Sequence, residues 1–203
     1  AKDVLNNANE AYEAASQFGR FTKLLDGIEM DKLKISIPDF HNLSLRQEQL
    51  LTALKEGNPE RIKETEVLTS ELLNNAWIVK EFETIISNPE FKKRVTHHDT
   101  KISNVLFDNE GKGICVIDLD TVMPGYFISD VGDMMRTYLS PVSEEEKDFG
   151  KIEIRDEFYK AIVNGYYNEM IEVLTETEKQ AFFYSGAFMI YMQAIRFLTD
   201  YIN

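Results

Sequence analysis

Three oxygen-bearing side chains stand close together in one stretch of the sequence, residues 94–120. Asp99 is followed five positions later by Asn104, and Asp118 comes fourteen positions after that. Carboxylate and amide oxygens suit a hard cation such as Mg²⁺, which binds few protein groups and keeps its other positions for water and phosphate oxygens. The residue types therefore favour a magnesium site, provided that the fold brings the three side chains together.

A β-hairpin is predicted to bring them together. Residues 104–108 and 114–118 are two short runs rich in β-branched and apolar side chains, and the residues between them include two glycines, which allow a tight reversal. A reversal centred on Gly111 places Asn104 opposite Asp118. The loop before the first strand then holds the remaining carboxylate over the open end of the hairpin.

The sequence around this loop resembles the protein-kinase-like phosphotransferases. Residues 97–104 read HHDTKISN, of the form H-x-D-x-K-x-x-N, and Asp118 follows at the spacing of the metal-binding aspartate of that group. The wider wording THHDTKISNVLFD, VIDLDTVMPG and RFLTDY is similar to the N-acetylhexosamine 1-kinases, within the aminoglycoside and choline phosphotransferase group. The sequence similarity extends from Phe18 to Tyr201.

The resemblance implies an ATP-dependent kinase that phosphorylates the anomeric hydroxyl of an N-acetylhexosamine. It assigns Asp99 to orienting the attacking hydroxyl or accepting its proton. It assigns Asn104 and Asp118 to holding Mg²⁺ on the phosphates of ATP. Lys101 is placed to neutralise the γ-phosphate, and its alternative is to be a solvated loop lysine.

Two residues are expected to support the catalytic loop. His97 is interpreted as a structural brace for the loop. Asp130 lies in the first turn of a predicted helix, where negative charge suits the helix dipole. By resemblance Asp130 ties down the catalytic loop, and the alternative is a simple helix cap. Neither His98 nor His41 is assigned a role.

Two further residues are candidates for binding the substrate. Arg196 lies on a strongly apolar helix, so it must be paired or face a cavity. It either binds the sugar or forms an internal ion pair, with Asp118, Asp120, Asp130 or Asp133 as the possible partners. Asp120 shares a strand face with Asp118 by two-residue alternation. It is therefore either a ligand near the metal and substrate or only a carboxylate at a strand end.

Helical patterns surround the hairpin on both sides. Helices are predicted over residues 4–25, 45–56, 60–87 with a break near 74–75, 129–139 and 152–174, and a last helix follows a capping box at 175–178. Residues 121–128 are predicted to be a loop. The expected fold class is therefore α+β and predominantly α-helical, with one small catalytic hairpin.

Residues 1–203 are interpreted as a single domain, the C-terminal lobe of such a kinase. Kinases of this group carry an N-terminal lobe of antiparallel sheet that covers the nucleotide. No G-x-G-x-x-G or G-x-x-x-x-G-K-[ST] motif and no run of strand-like sequence precedes Arg94. The nucleotide lobe is expected to be the missing partner of this chain, which alone should bind ATP weakly and turn over negligibly.

Composition narrows the possible partners and compartments. A net charge of −13 argues against general affinity for nucleic acid or an anionic membrane. The most apolar window, 181–198, contains Arg196 and is too short without it to cross a bilayer, so it is expected to be a core helix. The single cysteine, Cys115, cannot form an internal disulfide and is expected to be buried. Cytoplasm is the default location.

Three alternative functions remain at this point. Another small-molecule hydroxyl kinase of the same group is the nearest. A helical metal-dependent phosphohydrolase would use His41, the pair His98–Asp99 and a later aspartate as ligands, but it leaves Asn104 unexplained. An inactive interaction module is the third, and the intact set of catalytic side chains argues against it.

Overall fold

The computed structural model describes residue 2, residues 4–142 and residues 146–203. Within these residues the chain forms nine α-helices and four short β-strands. The helices are α1 (Ala8–Leu24), α2 (Leu43–Glu56), α3 (Pro59–Glu64), α4 (Glu66–Asn74), α5 (Trp77–Ser87), α6 (Phe127–Tyr138), α7 (Asp156–Met170), α8 (Glu176–Lys179) and α9 (Phe182–Ile202). The strands are β1 (Arg94–Thr96), β2 (Val105–Phe107), β3 (Gly113–Val116) and β4 (Met123–Gly125).

The predicted class, α+β with a large helical majority, is confirmed. In the described part of the chain, every regular element before Arg94 is helical. Side-chain caps set several helix starts. Asn7 accepts a hydrogen bond from the backbone N–H of Glu10, so α1 begins later than the periodicity alone suggested. Asn58 caps α3, with Pro59 at the first helical position as predicted.

The long helix predicted over 60–87 is three separate helices. One break falls at Thr65, whose hydroxyl donates to the carbonyl of Arg61. The other falls at Asn75, whose side-chain amide donates to the carbonyl of Glu71. Short polar side chains that bond back to the preceding turn weaken the helical ladder. The predicted break near 74–75 is confirmed, and the break at Thr65 was not predicted.

The hydrophobic core lies between the long helices of the chain. α1 packs along α7, and α9 packs against both α6 and α2. Its largest fully buried side chains are Tyr138, Tyr166, Phe18, Phe127, Phe158 and Phe188. No helix in the described ranges is long and apolar enough to span a bilayer. The apolar window 181–198 is part of α9, which is a core helix as expected.

Two antiparallel strand pairs position residues 97–104, the segment that the resemblance predicts to be the catalytic loop and that keeps this name below. β2 pairs with β3 to form the predicted hairpin. β1, which leads into the loop, pairs with β4 through Arg94 opposite Gly125 and Thr96 opposite Met123. The prediction of a loop over 121–128 was therefore wrong. Sequence could not show this strand because β4 has only three residues, one of them a proline, and it is stabilised by a distant partner.

A buried ion pair ties β1 to the C-terminal helices. The guanidinium of Arg94 binds the carboxylate of Glu178 through both terminal nitrogens and also donates to the carbonyl of Val173. Glu178 closes the predicted capping box with Thr175. The box opens the one-turn helix α8 and not α9 itself, so the last helix starts later than predicted. One carboxylate thus caps a helix and anchors the strand that enters the catalytic loop.

Candidate active site

The hairpin has a different register from the predicted one. Its turn closes between Asp108 and Lys112, and a bulge between Leu106 and Phe107 shifts the pairing by one residue. The carbonyl of Asn104 accepts the N–H of Ile117 at 2.9 Å. Asn104 therefore faces Ile117. The prediction that it faces Asp118, which assumed a turn centred on Gly111, was wrong. Cys115, on the second strand, is exposed and not buried as expected.

Asp118 lies one residue beyond the partner of Asn104, at the open end of the hairpin. Its backbone is left-handed, with φ 63° and ψ 68°. Asp tolerates this region better than most residues, and such strained positions cluster at functional sites. Asp120 follows in a single 3₁₀ turn, Leu119–Thr121. Because the strand ends at Val116, the predicted shared strand face of Asp118 and Asp120 does not exist, and both side chains are exposed.

Asp99, Lys101 and Asn104 contact one another directly. One carboxylate oxygen of Asp99, Oδ2, lies 2.8 Å from Lys101 Nζ and accepts a hydrogen bond of 3.1 Å from Asn104 Nδ2. Asn104 Nδ2 also donates to the backbone carbonyl of Asp99 at 2.8 Å. The hydrogen bond to Asp99 raises the pKa of Lys101, and the charge of Asp118 adds to this increase. The lysine is therefore an exposed loop cation that pairs with the carboxylate of Asp99.

Asp130 holds the start of the catalytic loop from the first turn of α6. Its two carboxylate oxygens accept the backbone N–H groups of His97, at 3.0 Å, and His98, at 2.8 Å. His98 has a positive φ of 67°, so these bonds fix a sharp turn directly before Asp99. Burial raises the pKa of the Asp130 carboxyl, and the two N–H donors oppose that increase. Asp130 has a loop-anchoring position and is not a simple helix cap.

Sequence reasoning missed a second anchor, which holds the residue between the two catalytic candidates. Asp133 accepts the backbone N–H of Thr100 at 2.8 Å, and Tyr138 donates its hydroxyl to the Thr100 carbonyl. Asp133 also pairs with Arg136 at 2.9 Å. Burial raises the pKa of Asp133, and Arg136 lowers it. The D-x-x-D spacing of Asp130 and Asp133, one helical turn apart, was the available signal.

His97 occupies a fully buried place behind the loop. Its ring packs edge-on against Phe18 and Phe21, with centroids 5.1 and 5.9 Å away. Its Nε2 contacts the carbonyl of Ile117 at 3.0 Å, and its own carbonyl accepts the hydroxyl of Thr121. The side chain thus joins α1, the hairpin and the loop. This is the geometry of a structural brace.

His98 points the other way, toward β4 and the loop that precedes α2. Its Nε2 lies 2.7 Å from the hydroxyl of Thr96, and its Nδ1 lies 3.1 Å from Nδ1 of His41. The ring fits only because residue 125 is glycine, since a Cβ there would lie 2.6 Å from His98 Nε2. Both ring nitrogens of His98 are engaged within the protein. They are therefore unavailable as metal ligands, which counts against the phosphohydrolase alternative.

The buried position of His98 predicts a pH effect. Burial lowers the pKa of His98 to about 4, compared with about 6.5 for an unfolded histidine. Because the folded state binds this proton more weakly, the contribution of His98 to stability is present above pH 6.5 and is lost as the pH falls toward 4. We expect NMR titration of the folded chain to show a neutral His98 ring at pH 5.5. The urea-unfolded chain is the control, and a folded midpoint near 6.5 would contradict this expectation.

Arg196 has no ion pair with a carboxylate within the described residues. The expected partners have other contacts or lie elsewhere: Asp130 holds the loop backbone, Asp133 pairs with Arg136, and Asp118 and Asp120 are exposed. The prediction of an internal ion pair for Arg196 was therefore wrong. Arg196 is half-buried and stacks against the ring of Phe197 at 5.5 Å. Its charge contributes to lowering the pKa of His41, after burial and the effects of His98 and Arg136.

A cavity of about 480 Å³ opens beside the catalytic loop. Lys101 and Arg136 contribute polar groups to it, and most of its other walls are aliphatic, including Ile152, Ile154 and Ile190. Its volume lies in the range of small-molecule sites. A small ligand can therefore approach Lys101 from this side of the loop.

Together these contacts define a class of protein. The fold is mainly helical, and a loop aspartate contacts a lysine and an asparagine beside a hairpin that is followed by a second aspartate. This arrangement is similar to that of the protein-kinase-like phosphotransferases. The family model of the phosphotransferase enzyme family, APH, matches residues 2–175. The chain belongs to this family. Its members include aminoglycoside and choline kinases, which use ATP as co-substrate and typically a divalent metal.

Proposed function

We propose that this chain transfers the γ-phosphoryl group of ATP to the anomeric hydroxyl of an N-acetylhexosamine, giving the sugar 1-phosphate. The observation that carries the kinase chemistry is the contact of one Asp99 oxygen with both Lys101 and Asn104. This contact leaves the second oxygen, Oδ1, without a partner among the described residues. An acceptor hydroxyl can therefore donate to it.

The proton and charge movements follow from this geometry. The acceptor oxygen attacks the γ-phosphorus as its proton passes to Asp99, and the bond to the β-phosphate oxygen breaks to release ADP. Lys101 stays protonated beside the carboxylate and offsets the negative charge of the transferring phosphoryl group. Most of the rate enhancement in such a reaction comes from positioning. The two anchors on α6, Asp130 and Asp133, supply that positioning for the loop.

Asn104 and Asp118 fit the expected magnesium ion. The amide nitrogen of Asn104 is used by Asp99, so the amide oxygen is the group left for a cation. The exposed carboxylate of Asp118 ends the neighbouring strand pair. An amide oxygen and one carboxylate are a suitable donor set for Mg²⁺ that is otherwise bound by phosphates and water. Mg²⁺ would neutralise the phosphates of ATP there.

Two observations support a sugar as the acceptor. The wording THHDTKISNVLFD, VIDLDTVMPG and RFLTDY is similar to the N-acetylhexosamine 1-kinases. Arg196, in the last of these stretches, has no carboxylate partner among the described residues and keeps its donors for a ligand. We further propose that the nucleotide lobe lies in sequence N-terminal to this chain, so the full-length protein is the form to assay.

The acceptor is tested with a panel of compounds incubated with ATP and Mg²⁺. We expect N-acetylglucosamine or N-acetylgalactosamine to give the highest kcat/KM, with the phosphate on the anomeric oxygen by ³¹P NMR. Glucosamine, galactose, choline and an aminoglycoside complete the panel. Faster phosphorylation of choline or of the aminoglycoside would show that the chain is another kinase of the same group and not an N-acetylhexosamine kinase.

The variant Arg196→Met tests in the same assay whether Arg196 binds the sugar. We expect it to raise the KM for the sugar by about 10- to 100-fold, which is the usual loss when a hydrogen bond to a charged group is removed. The KM for ATP should stay the same. Arg20→Met, at an exposed position on α1, is the matched control. An unchanged sugar KM in Arg196→Met would remove Arg196 from the acceptor site.

A further inference from the structure

A chain of hydrogen bonds fixes the protonated nitrogen on each of two histidine rings. The hydroxyl of Thr96 donates to the carbonyl of Met123 at 3.2 Å, so its oxygen must accept from Nε2 of His98 at 2.7 Å. A proton on Nε2 satisfies both of these contacts. The Nδ1 of a neutral His98 is then a lone-pair acceptor.

The same logic determines the tautomer of His41. Its Nδ1 lies 3.1 Å from Nδ1 of His98. Because the His98 nitrogen has no proton, His41 must supply one, and its own Nδ1 carries the hydrogen. The Nε2 of His41 is then unprotonated. It has no partner among the described residues and is not one of their buried, unpartnered atoms.

Local contacts hold His41 firmly in place. Asp39 has a positive φ of 56°, and its carboxylate accepts the side-chain amide of Asn42 at 2.9 Å. Asn42 in turn caps α2 through the N–H of Leu45. The ring of Phe40 stacks on His41 with centroids 4.4 Å apart. This turn presents His41 against the residue that directly precedes the catalytic base.

The surroundings of the His41 ring favour its neutral form. Burial lowers the pKa of His41, and repulsion from His98, Arg136 and Arg196 further opposes its protonation. These groups lie on the catalytic loop, on α6 and on α9. The His41 ring contacts His98, the residue directly before Asp99, so it lies beside the loop proposed to bind the acceptor.

We propose that His41 is a substrate-binding residue whose Nε2 accepts a hydrogen bond from a hydroxyl or amide N–H of the acceptor. The proposal rests on the proposed kinase function and adds a polar contact to it. The turn at residues 39–42 would then select phosphoryl acceptors that present a hydrogen-bond donor to Nε2 of His41. An acceptor that covers Nε2 without offering such a donor would leave its lone pair without a partner and would bind more weakly.

Two substitutions separate this role from a purely structural one. The amide of glutamine reaches the position of Nε2, whereas that of asparagine reaches only the position of Nδ1. In the full-length protein we expect His41→Gln to keep the acceptor KM within about threefold and His41→Asn to raise it about tenfold, with the KM for ATP unchanged in both. A structural role, in which only the bond to His98 matters, predicts the reverse order. That reverse order, or equal values, would overturn the proposal.

The tautomers can be measured without any substrate. Long-range ¹H–¹⁵N spectra of the 203-residue chain should show the proton on Nδ1 of His41 and on Nε2 of His98. On adding the best acceptor of the panel, the Nε2 resonance of His41 should shift. A proton on Nε2 of His41 in the free chain would refute the proposal even if the kinase activity is confirmed. Phosphorylation of the acceptor with an unshifted Nε2 would also refute it and leave the proposed function intact.

Discussion

Asp99→Asn is expected to lower kcat about a thousandfold in the full-length protein, within the usual range for losing a general base. The substitution keeps the size of the side chain and its contact with Asn104, but it removes the group that accepts the hydroxyl proton and the charge that pairs with Lys101. Initial rates of sugar-dependent ADP release, measured at saturating ATP and Mg²⁺, give kcat directly. The KM values should change little because Asp99 acts mainly in the transition state.

The control for this variant is Asp200→Asn. Asp200 is an exposed aspartate on α9 whose side chain forms no hydrogen bond or ion pair among the described residues, so kcat should stay the same. Unchanged circular dichroism and thermal unfolding would show that Asp99→Asn is folded. A loss of less than about tenfold in kcat would remove Asp99 from the role of base.

Glu178→Ala is expected to have the largest effect on stability. The variant leaves the guanidinium of Arg94, which is 4% exposed, without its carboxylate. Removing one partner of a buried ion pair costs about 3–5 kcal/mol, and losing the capping box at Thr175 adds about 1 kcal/mol. Urea unfolding of the 203-residue chain, followed by circular dichroism, measures the change in the free energy of unfolding.

Glu176→Ala is the matched control, two residues away on the same short helix. Glu176 forms an exposed pair with Lys179, and such pairs contribute about 0–1 kcal/mol. A loss below about 1 kcal/mol for Glu178→Ala would show that Arg94 finds other partners. In that case the ion pair would not be what holds β1 in place.

The anchors on α6 connect stability to catalysis. Asp130 holds the backbone on the N-terminal side of Asp99, and Asp133 holds the backbone on its C-terminal side. Both carboxylates are buried and accept N–H groups that would otherwise have no partner. Because residues 97–101 have no regular secondary structure, these bonds fix the directions of Asp99 and Lys101. The ion pair between Arg94 and Glu178 does the same for the strand that enters the loop.

Local sequence signals were sufficient for several elements. Asn58 before Pro59 marked the start of α3, and Thr175 with Glu178 marked a capping box. These signals work because the donor, the acceptor and the chain between them lie within four residues. The glycine-containing turn likewise predicted the hairpin, and Gly111 has the expected positive φ of 80°. The short spacing of Asp99 and Asn104 likewise predicted that their side chains lie close together, and Asn104 Nδ2 donates to Asp99 Oδ2 at 3.1 Å.

Features that depend on distant partners were not predictable. The register of the hairpin was shifted by a bulge at Leu106 and Phe107, and a short strand appeared at Met123–Gly125 because it pairs with β1. The expected ion pair of Arg196 is absent from the described residues, because the buried carboxylates bind loop backbone and Arg136.

By itself, the sequence determined the helical class, the family resemblance and the contact of Asp99 with Lys101 and Asn104, since each depends on residue types and short spacings. Only the tertiary structure decided that His41 meets His98 and that Asp133 holds Thr100. These pairs are 57 and 33 residues apart. Their contacts form because packing of α2 and α6 around the loop brings them within hydrogen-bonding distance, and no local preference of the chain encodes that meeting.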